Sequence, residues 1–255
     1  MAIKIGHASI DERGKASGGI AGDQTGKEIC IRTWYSKPWN VYLDCTDKAL
    51  ADKAARIMEQ ICADSDYGYD QVDRWTGYNA IKKNKNKVAG AVGEFDCSSL
   101  IITCYILAGL QMSADGYTGN LKAKLVATGK FKAYTDPSHL TSDKYAKRGG
   151  IYLKEGSHVV MALEDGNKPK NPYKEPTETI KHGMAGEGVM WVQWALRESG
   201  YTIVKVDGYD KELKIDGDCG PVTDAGIRMY QRDNGITVDG IVGSETIVLF
   251  NSLFI

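Results

Sequence analysis

No Cys-x-x-Cys pair occurs in this sequence. Its six cysteines, Cys30, Cys45, Cys62, Cys97, Cys104 and Cys219, stand singly, which argues against a zinc knuckle and against a disulfide-stapled secreted fold. Most of them read as small buried hydrophobes. An excess of one charge is also missing: 32 basic and 33 acidic residues give a net charge of −1. Nothing in that balance suggests a nucleic-acid binder or a polybasic membrane protein. No apolar run approaches the roughly 20 residues of a membrane span, and Met1-Ala2-Ile3-Lys4-Ile5-Gly6-His7 has no signal-peptide core. The expectation is a monomer made in the cytosol, without membrane insertion. Asp207, Asp210, Asp216 and Asp218 cluster but lack the spacing of a calcium loop, so neither a metal nor another cofactor is expected.

Histidine is scarce as well, with four in the chain: His7, His139, His158 and His182. That narrows the search for a base, because one thiol occupies a position that needs one. Asp96-Cys97-Ser98-Ser99 opens a stretch that reads as a buried helix through Leu100, Ile101, Ile102, Tyr105, Ile106 and Leu107. A thiol in a first turn meets unpaired backbone N–H groups and the positive end of the helix dipole, which lower a pKa that is otherwise about 8.5. Such a nucleophile needs a partner for its proton. His158 fits best, in Glu155-Gly156-Ser157-His158-Val159-Val160-Met161-Ala162-Leu163, an apolar run before Glu164-Asp165-Gly166-Asn167 that reads as a buried strand ending in a turn. Cys97 is the expected nucleophile and His158 the expected base, each weighed against a plain core role. Cys104, on the same helical face as Cys97, reads as core.

A Cys at a helix start followed some sixty residues later by a His on a strand is the order of circularly rearranged papain-like hydrolases. Phe95-Asp96-Cys97-Ser98-Ser99-Leu100, the strand Arg148-Gly149-Gly150-Ile151-Tyr152-Leu153 and Gly156-Ser157-His158-Val159-Val160 resemble the NlpC/P60 family of cell-wall cysteine peptidases and the neighbouring CHAP amidases. Gly150 stands where that family usually has Asp. Gly22-Asp23-Gln24-Thr25-Gly26-Lys27-Glu28 and Gly68-Tyr69-Asp70-Gln71 look like a bacteriophage-type subgroup of these peptidoglycan hydrolases. The resemblance implies an oxyanion-stabilising role for Tyr69. It also implies a third polar group that orients the imidazole of His158. Asp165 and Asn167 are the near candidates, Asp23 and Gln24 the alternative, and His7 a further one whose place beside an N-terminal strand favours a surface or core role. Trp34, Tyr35, Trp39 and Trp75 could line a groove or fill the core. Glu28 and Arg74 are expected to form a structural ion pair.

Three of the six prolines, Pro169, Pro172 and Pro176, fall in one short stretch, which reads as an extended spacer. The expected organisation is a hydrolase domain over 1–166, a Pro/Lys-rich linker over 167–181 and a small domain over 182–255. In the first, residues 46–64 predict an amphipathic helix capped by Thr46, packed with the Cys97 helix on a small antiparallel sheet, and the chain between Gly109 and Ile151 reads as turns. Lys82-Lys83-Asn84-Lys85-Asn86-Lys87 reads as a solvated loop. In the last, helices are marked by Gly186 to Leu196, by Pro221 to Gln231 and by Ser244 onward, with Ile247, Val248 and Leu249 going inward. Its Asp-Gly turns, each followed by Thr223 or Thr246, resemble the peptidoglycan-binding domain type 1, with an insertion at 205–214 that lengthens a loop.

The fold class expected is therefore an α+β papain-like, NlpC/P60 catalytic domain followed by a three-helix peptidoglycan-binding domain. The function these resemblances imply is a cysteine peptidoglycan hydrolase of endolysin or autolysin type. Its partner would be bacterial peptidoglycan, reached after release from the cell in phage lysis or on a phage tail. An endopeptidase acting at D-glutamate is favoured over an N-acetylmuramoyl-L-alanine amidase. A non-enzymatic wall-binding or tail structural protein is the rival from another class.

Overall fold

The computed structural model describes residues 2–10, 14–22 and 28–253. Asp23 and Gln24 lie outside the described residues. The chain divides into two compact units, residues 1–135 with 139–166, and residues 167–255 with 136–138. No helix of the described residues is long and apolar enough to cross a membrane.

The first unit is built on a six-stranded antiparallel sheet in the order β2-β1-β8-β7-β3-β6, from β1 (Lys4–Ala8), β2 (Ile29–Thr33), β3 (Val41–Cys45), β6 (Phe131–Tyr134), β7 (Ile151–Lys154) and β8 (His158–Ala162). Two helices, α1 (Lys48–Cys62) and α3 (Cys97–Ala108), bury their apolar side chains against one face, where Ala54, Met58, Leu100 and Ile101 meet Leu43, Val159 and Met161. The other face carries Ile3, Ile5, Tyr42, Tyr152, Val160 and Ala162 under the aromatic segment Trp34, Tyr35 and Trp39. Both faces are covered, and alternation along β8 divides its side chains between them.

Several local expectations shift. Asp47 rather than Thr46 caps α1, its carboxylate accepting from Leu50 N–H at 3.1 Å, while Thr46 donates to the Lys130 carbonyl. The stretch after Gly109 is not all turns: it holds α4 (Leu121–Ala127), β6 as the sheet's outer strand and the short α5 (Pro137–Leu140). The Gly150 departure has a steric cause, since a Cβ there would collide with the Tyr42 hydroxyl. Beside it Arg148 clamps the entry of β7 to α1, donating to Asp52 at 2.8 Å and to both carboxylate oxygens of Glu59.

A two-stranded parallel sheet, β4 (Tyr67–Tyr69) with β5 (Gly93–Phe95), and α2 (Thr76–Lys83) lead into α3. Gly93 and Gly77 let strand and helix touch, for a Cβ on Gly93 would meet the Gly77 backbone. From Cys97 to Tyr105 every side chain of α3 is buried, as expected of a helix apolar on all sides.

The second unit holds α6 (Glu187–Glu198), α7 (Pro221–Asp233) and α8 (Ser244–Leu253). Gln193 and Gln231 organise it in parallel ways. The Gln193 oxygen accepts from the amides of Asp216 and Gly217, and its Nε2 donates to Asp216, to the Asp218 carbonyl and to Thr223. Gln231 repeats this with Asp239, Gly240, Ile241 and Thr246. Each buried amide thus satisfies one Asp-Gly turn. The 205–214 insertion is a hairpin, β9 (Ile203–Val206) with β10 (Tyr209–Glu212), whose turn residues Asp207 and Gly208 both have positive φ, 51° and 82°. In α8 Val248 faces outward and Phe250 inward, contrary to the expected triplet. Within residues 167–181, Asn171 donates to the Trp191 carbonyl at 3.0 Å and buried Ile180 bridges to Val242, so this segment is tied to the second unit.

Candidate active site

Cys97 is delivered to the sheet by a reciprocal cap. The Asp96 carboxylate accepts from the amides of Ser98 and Ser99 at 2.9 and 2.6 Å, and the Ser99 hydroxyl accepts from the Asp96 amide at 2.9 Å. This closes the first turn of α3 with the sulfur on its first residue. Arg74 braces the cap: its Nη1 is 3.0 Å from Asp96 Oδ2, and its Nη2 donates to Ser98 Oγ and to the Gly116 carbonyl. Arg74 therefore pairs with Asp96 and not with Glu28, whose buried carboxylate accepts from the Tyr69 amide at 2.6 Å.

Beside the sulfur, the ladder between β1 and β8 opens. Its paired register ends at Gly6 with Met161. The Leu163 amide donates to the Lys4 carbonyl, on the β1 side, and alternation turns the Val159 amide to that same side. There the Val159 amide is turned toward the Cys97 thiol and opposes the rise of its pKa. The thiol lies where the two strands part.

His7 and His158 flank the same opening. Nδ1 of His7 is 3.5 Å from Nε2 of His158, so one ring donates and the other accepts. Trp39 stacks on His158 with centroids 6.2 Å apart, Tyr35 meets His7 edge-on at 6.3 Å, and the Arg32 guanidinium lies 4.7 Å over the Tyr35 ring. Tyr35 also feels the charge of Cys97, which places thiol, imidazoles and Tyr35 in one neighbourhood. Cys97 belongs to the helix-side core and the rings lie with the aromatic face, on the two sides of the sheet where β1 parts from β8.

Burial pushes the Cys97 thiol up to about 12, with the Asp96 carboxylate adding to the rise and the Val159 amide and Arg74 opposing it. The helix end was expected to lower this pKa, but burial outweighs it. Burial, then the cations Lys37 and Arg32, hold His158 down to about 4; burial, then His158 and Arg32, hold His7 down to about 4. With the thiol raised and both imidazoles lowered, Cys97, His158 and His7 are all neutral at pH 7.

Tyr69 sits on β4, buried, and receives an N–H from Gln71 at 3.0 Å. Burial pushes its hydroxyl up to about 12, and Cys97 and Asp96 are among the charges it feels, so it stands near the sulfur as a protonated donor. Asp165 is elsewhere. It lies past the far end of the strand that His158 begins, so at ~3.3 Å per residue the length of β8 separates them. Its carboxylate accepts from the Arg148 amide at 2.7 Å, the turn role that Asp165-Gly166 suggests. His139 stacks on Tyr134 at 4.1 Å within the aromatic face. Among the described residues no group of three or more His, Cys, Asp or Glu is placed to hold a metal ion. His7, expected at the surface or in the core, lies against His158: alternation with Ile3 and Ile5 sets which face of β1 it shares, and the pairing of β1 with β8 brings it there. Arg32 and Lys37 carried no sequence signal.

Comparison with known proteins agrees with this two-part plan. Residues 5–169 match the endolysin-like domain family and residues 185–249 a peptidoglycan-binding domain family. A zinc D-Ala-D-Ala carboxypeptidase of Streptomyces albus G is 36% identical over 76 residues, 30% of this chain and 26% of that protein. The chain thus spans about a quarter of the length of the curated relative it matches. A solved structure described as the SleB N-terminal domain is 27% identical and covers 31% of this chain and 94% of its own, at a TM-score of 0.26. With its first match extending over more than half of the residues, the chain belongs to the endolysin-like domain family.

Proposed function

We propose that this chain is a peptidoglycan hydrolase whose first unit cuts an amide of the wall's peptide stem through Cys97 and whose second unit holds the wall. One observation carries the reading: the thiol stands on the first residue of α3, at the parting of two strands, with the His158–His7 pair at the same opening. A papain-like arrangement similar to NlpC/P60 enzymes is the fold reading that goes with it.

Cys97 attacks the amide carbonyl as His158 takes the thiol proton, since a thiol this basic does not ionise beforehand. Tyr69 donates to the oxygen as it becomes negative. His158 then returns the proton to the leaving amine, which departs and leaves a thioester. Water, deprotonated by His158, cleaves the thioester and restores the thiol. His7 acts as a positioning residue, holding Nε2 of His158 so that Nδ1 is left for the sulfur. Retention on the wall by the second unit makes the encounter effectively intramolecular. The bond cut is an amide of D-glutamate within the stem, and the enzyme works on the wall once released, in phage lysis or on a tail.

Digestion of purified peptidoglycan by wild type, Cys97→Ala and His158→Ala, with mass analysis of soluble products, tests this. Fragments released by wild type alone support the cysteine route. Masses ending at D-glutamate support the endopeptidase, and lactyl-linked glycans freed of peptide favour the amidase instead. If no protein releases fragments from several wall types while all sediment with the wall, the chain is a binding protein.

A further inference from the structure

We propose that Arg32 and Lys37 form a carboxylate-recognising subsite, which selects stem peptides that carry a free carboxylate beside the scissile amide. This rests on the hydrolase reading above. β2 is the edge strand opposite β6, and its register pairs Arg32 with Ile5 and Cys30 with His7, so Arg32 and His7 share one face. Arg32 is exposed, and its guanidinium lies over the Tyr35 ring, which also meets His7 edge-on. Stacking of this kind holds the plane of the guanidinium and leaves its N–H edge available to a planar anion. Lys37 lies in the segment between β2 and β3, where its carbonyl accepts from the amide of Trp39, the residue whose ring stacks on His158.

Several cations near this sheet have carboxylate partners within the unit: Arg74 has Asp96, Lys147 has Asp44, and Arg148 has Asp52 and Glu59. Among the described residues no carboxylate is paired with Arg32 or Lys37. Two cations that no carboxylate of the described residues neutralises are a disadvantage to an enzyme that must form an imidazolium at His158. A carboxylate carried in by the substrate removes the disadvantage at the moment the proton moves. A glutamate linked through its γ-carboxyl supplies such a group, because its α-carboxylate stays free a few bonds from the γ-amide. Amidation of that carboxylate removes the charge and leaves the scissile bond in place.

The test uses the full chain on two purified walls, one with free stem glutamate and one with the amidated form, and reads the ratio of kcat/KM between them. Because both walls are assayed with one preparation, any loss of folded protein cancels. Wild type is expected to prefer the free carboxylate by about tenfold. Arg32→Gln with Lys37→Gln brings the ratio near one, Arg32→Glu with Lys37→Glu inverts it, and Arg32→Lys keeps part of it. A wild-type ratio near one, or a ratio that survives Arg32→Gln with Lys37→Gln, overturns the subsite and leaves the hydrolase standing. Absence of fragments from both walls with wild type overturns the hydrolase, and the subsite with it.

Discussion

His7 and His158 share a hydrogen bond of 3.5 Å although 151 residues separate them in sequence. Replacing His7 by Ala is expected to lower kcat by about 10- to 100-fold with little change in KM, as loss of an orienting partner does. His7→Asn or His7→Gln, which keep one polar contact, should recover part of the loss. Equal activity in His7→Ala and wild type would show that the ring is only packing.

The depressed pKa of His158 sets the acid side of the pH profile. If neutral His158 is the base, kcat/KM should rise with pH through about 4 and be flat near 6.5, where an ordinary histidine would still be titrating. An acid limb centred near 6.5 would contradict a buried neutral base.

The same two histidines predict how stability varies with pH. Both titrate near 4 in the folded chain against 6.5 in the unfolded one, so the unfolded state binds protons first as pH falls. Stability should be unaffected by them above about 6.5, fall between about 6.5 and 4, and change no further below that. The loss is on the order of 3 kcal/mol for each ring. Urea unfolding across that range should show a shallower slope for His7→Gln than for wild type.

Tyr69→Phe removes the hydroxyl near the sulfur and keeps the ring. A single lost oxyanion donor typically costs about 10²- to 10³-fold in kcat. An unchanged kcat would assign Tyr69 to the core alone.

In the second unit, Gln193→Ala strands the amides of Asp216 and Gly217, while the Thr223 hydroxyl keeps its bond to the Asp218 carbonyl. Unsatisfied buried groups of this kind cost roughly 1–3 kcal/mol each before relaxation, so the unit should unfold at much lower urea. Gln231→Ala should act alike. Sedimentation with the wall should weaken in both variants, and the first unit's unfolding transition should stay in place.

Much of the first unit was legible where one local rule had no competitor. Asp96 and Ser99 announce a capped helix start, and the continuous apolar run after them announces a buried helix. His158 followed by four buried residues reads as a strand for the same reason. The positions that misled were those where tertiary contacts decide. Asp165 is near His158 in sequence and a strand's length away in space. Val248 sits in an apolar triplet but faces outward, because α8 turns Phe250 to Trp191 and Tyr230 instead. Asp207-Gly208 is a strong hairpin signal that passed as an insertion in a loop. His7 needed the pairing of the first strand with the last, which no local pattern supplies.

That pairing has a consequence during synthesis. Cys97 leaves the ribosome about sixty residues ahead of His158, and at roughly 10 residues per second several seconds pass in which the thiol exists without its base. The aromatic face and the parted strands that would bring substrate to the sulfur also require β8. On the mechanism proposed above, a nascent or prematurely ended chain would carry Cys97 in an inert form, and the catalytic centre would come into being only when the final strand of the sheet closes onto the first.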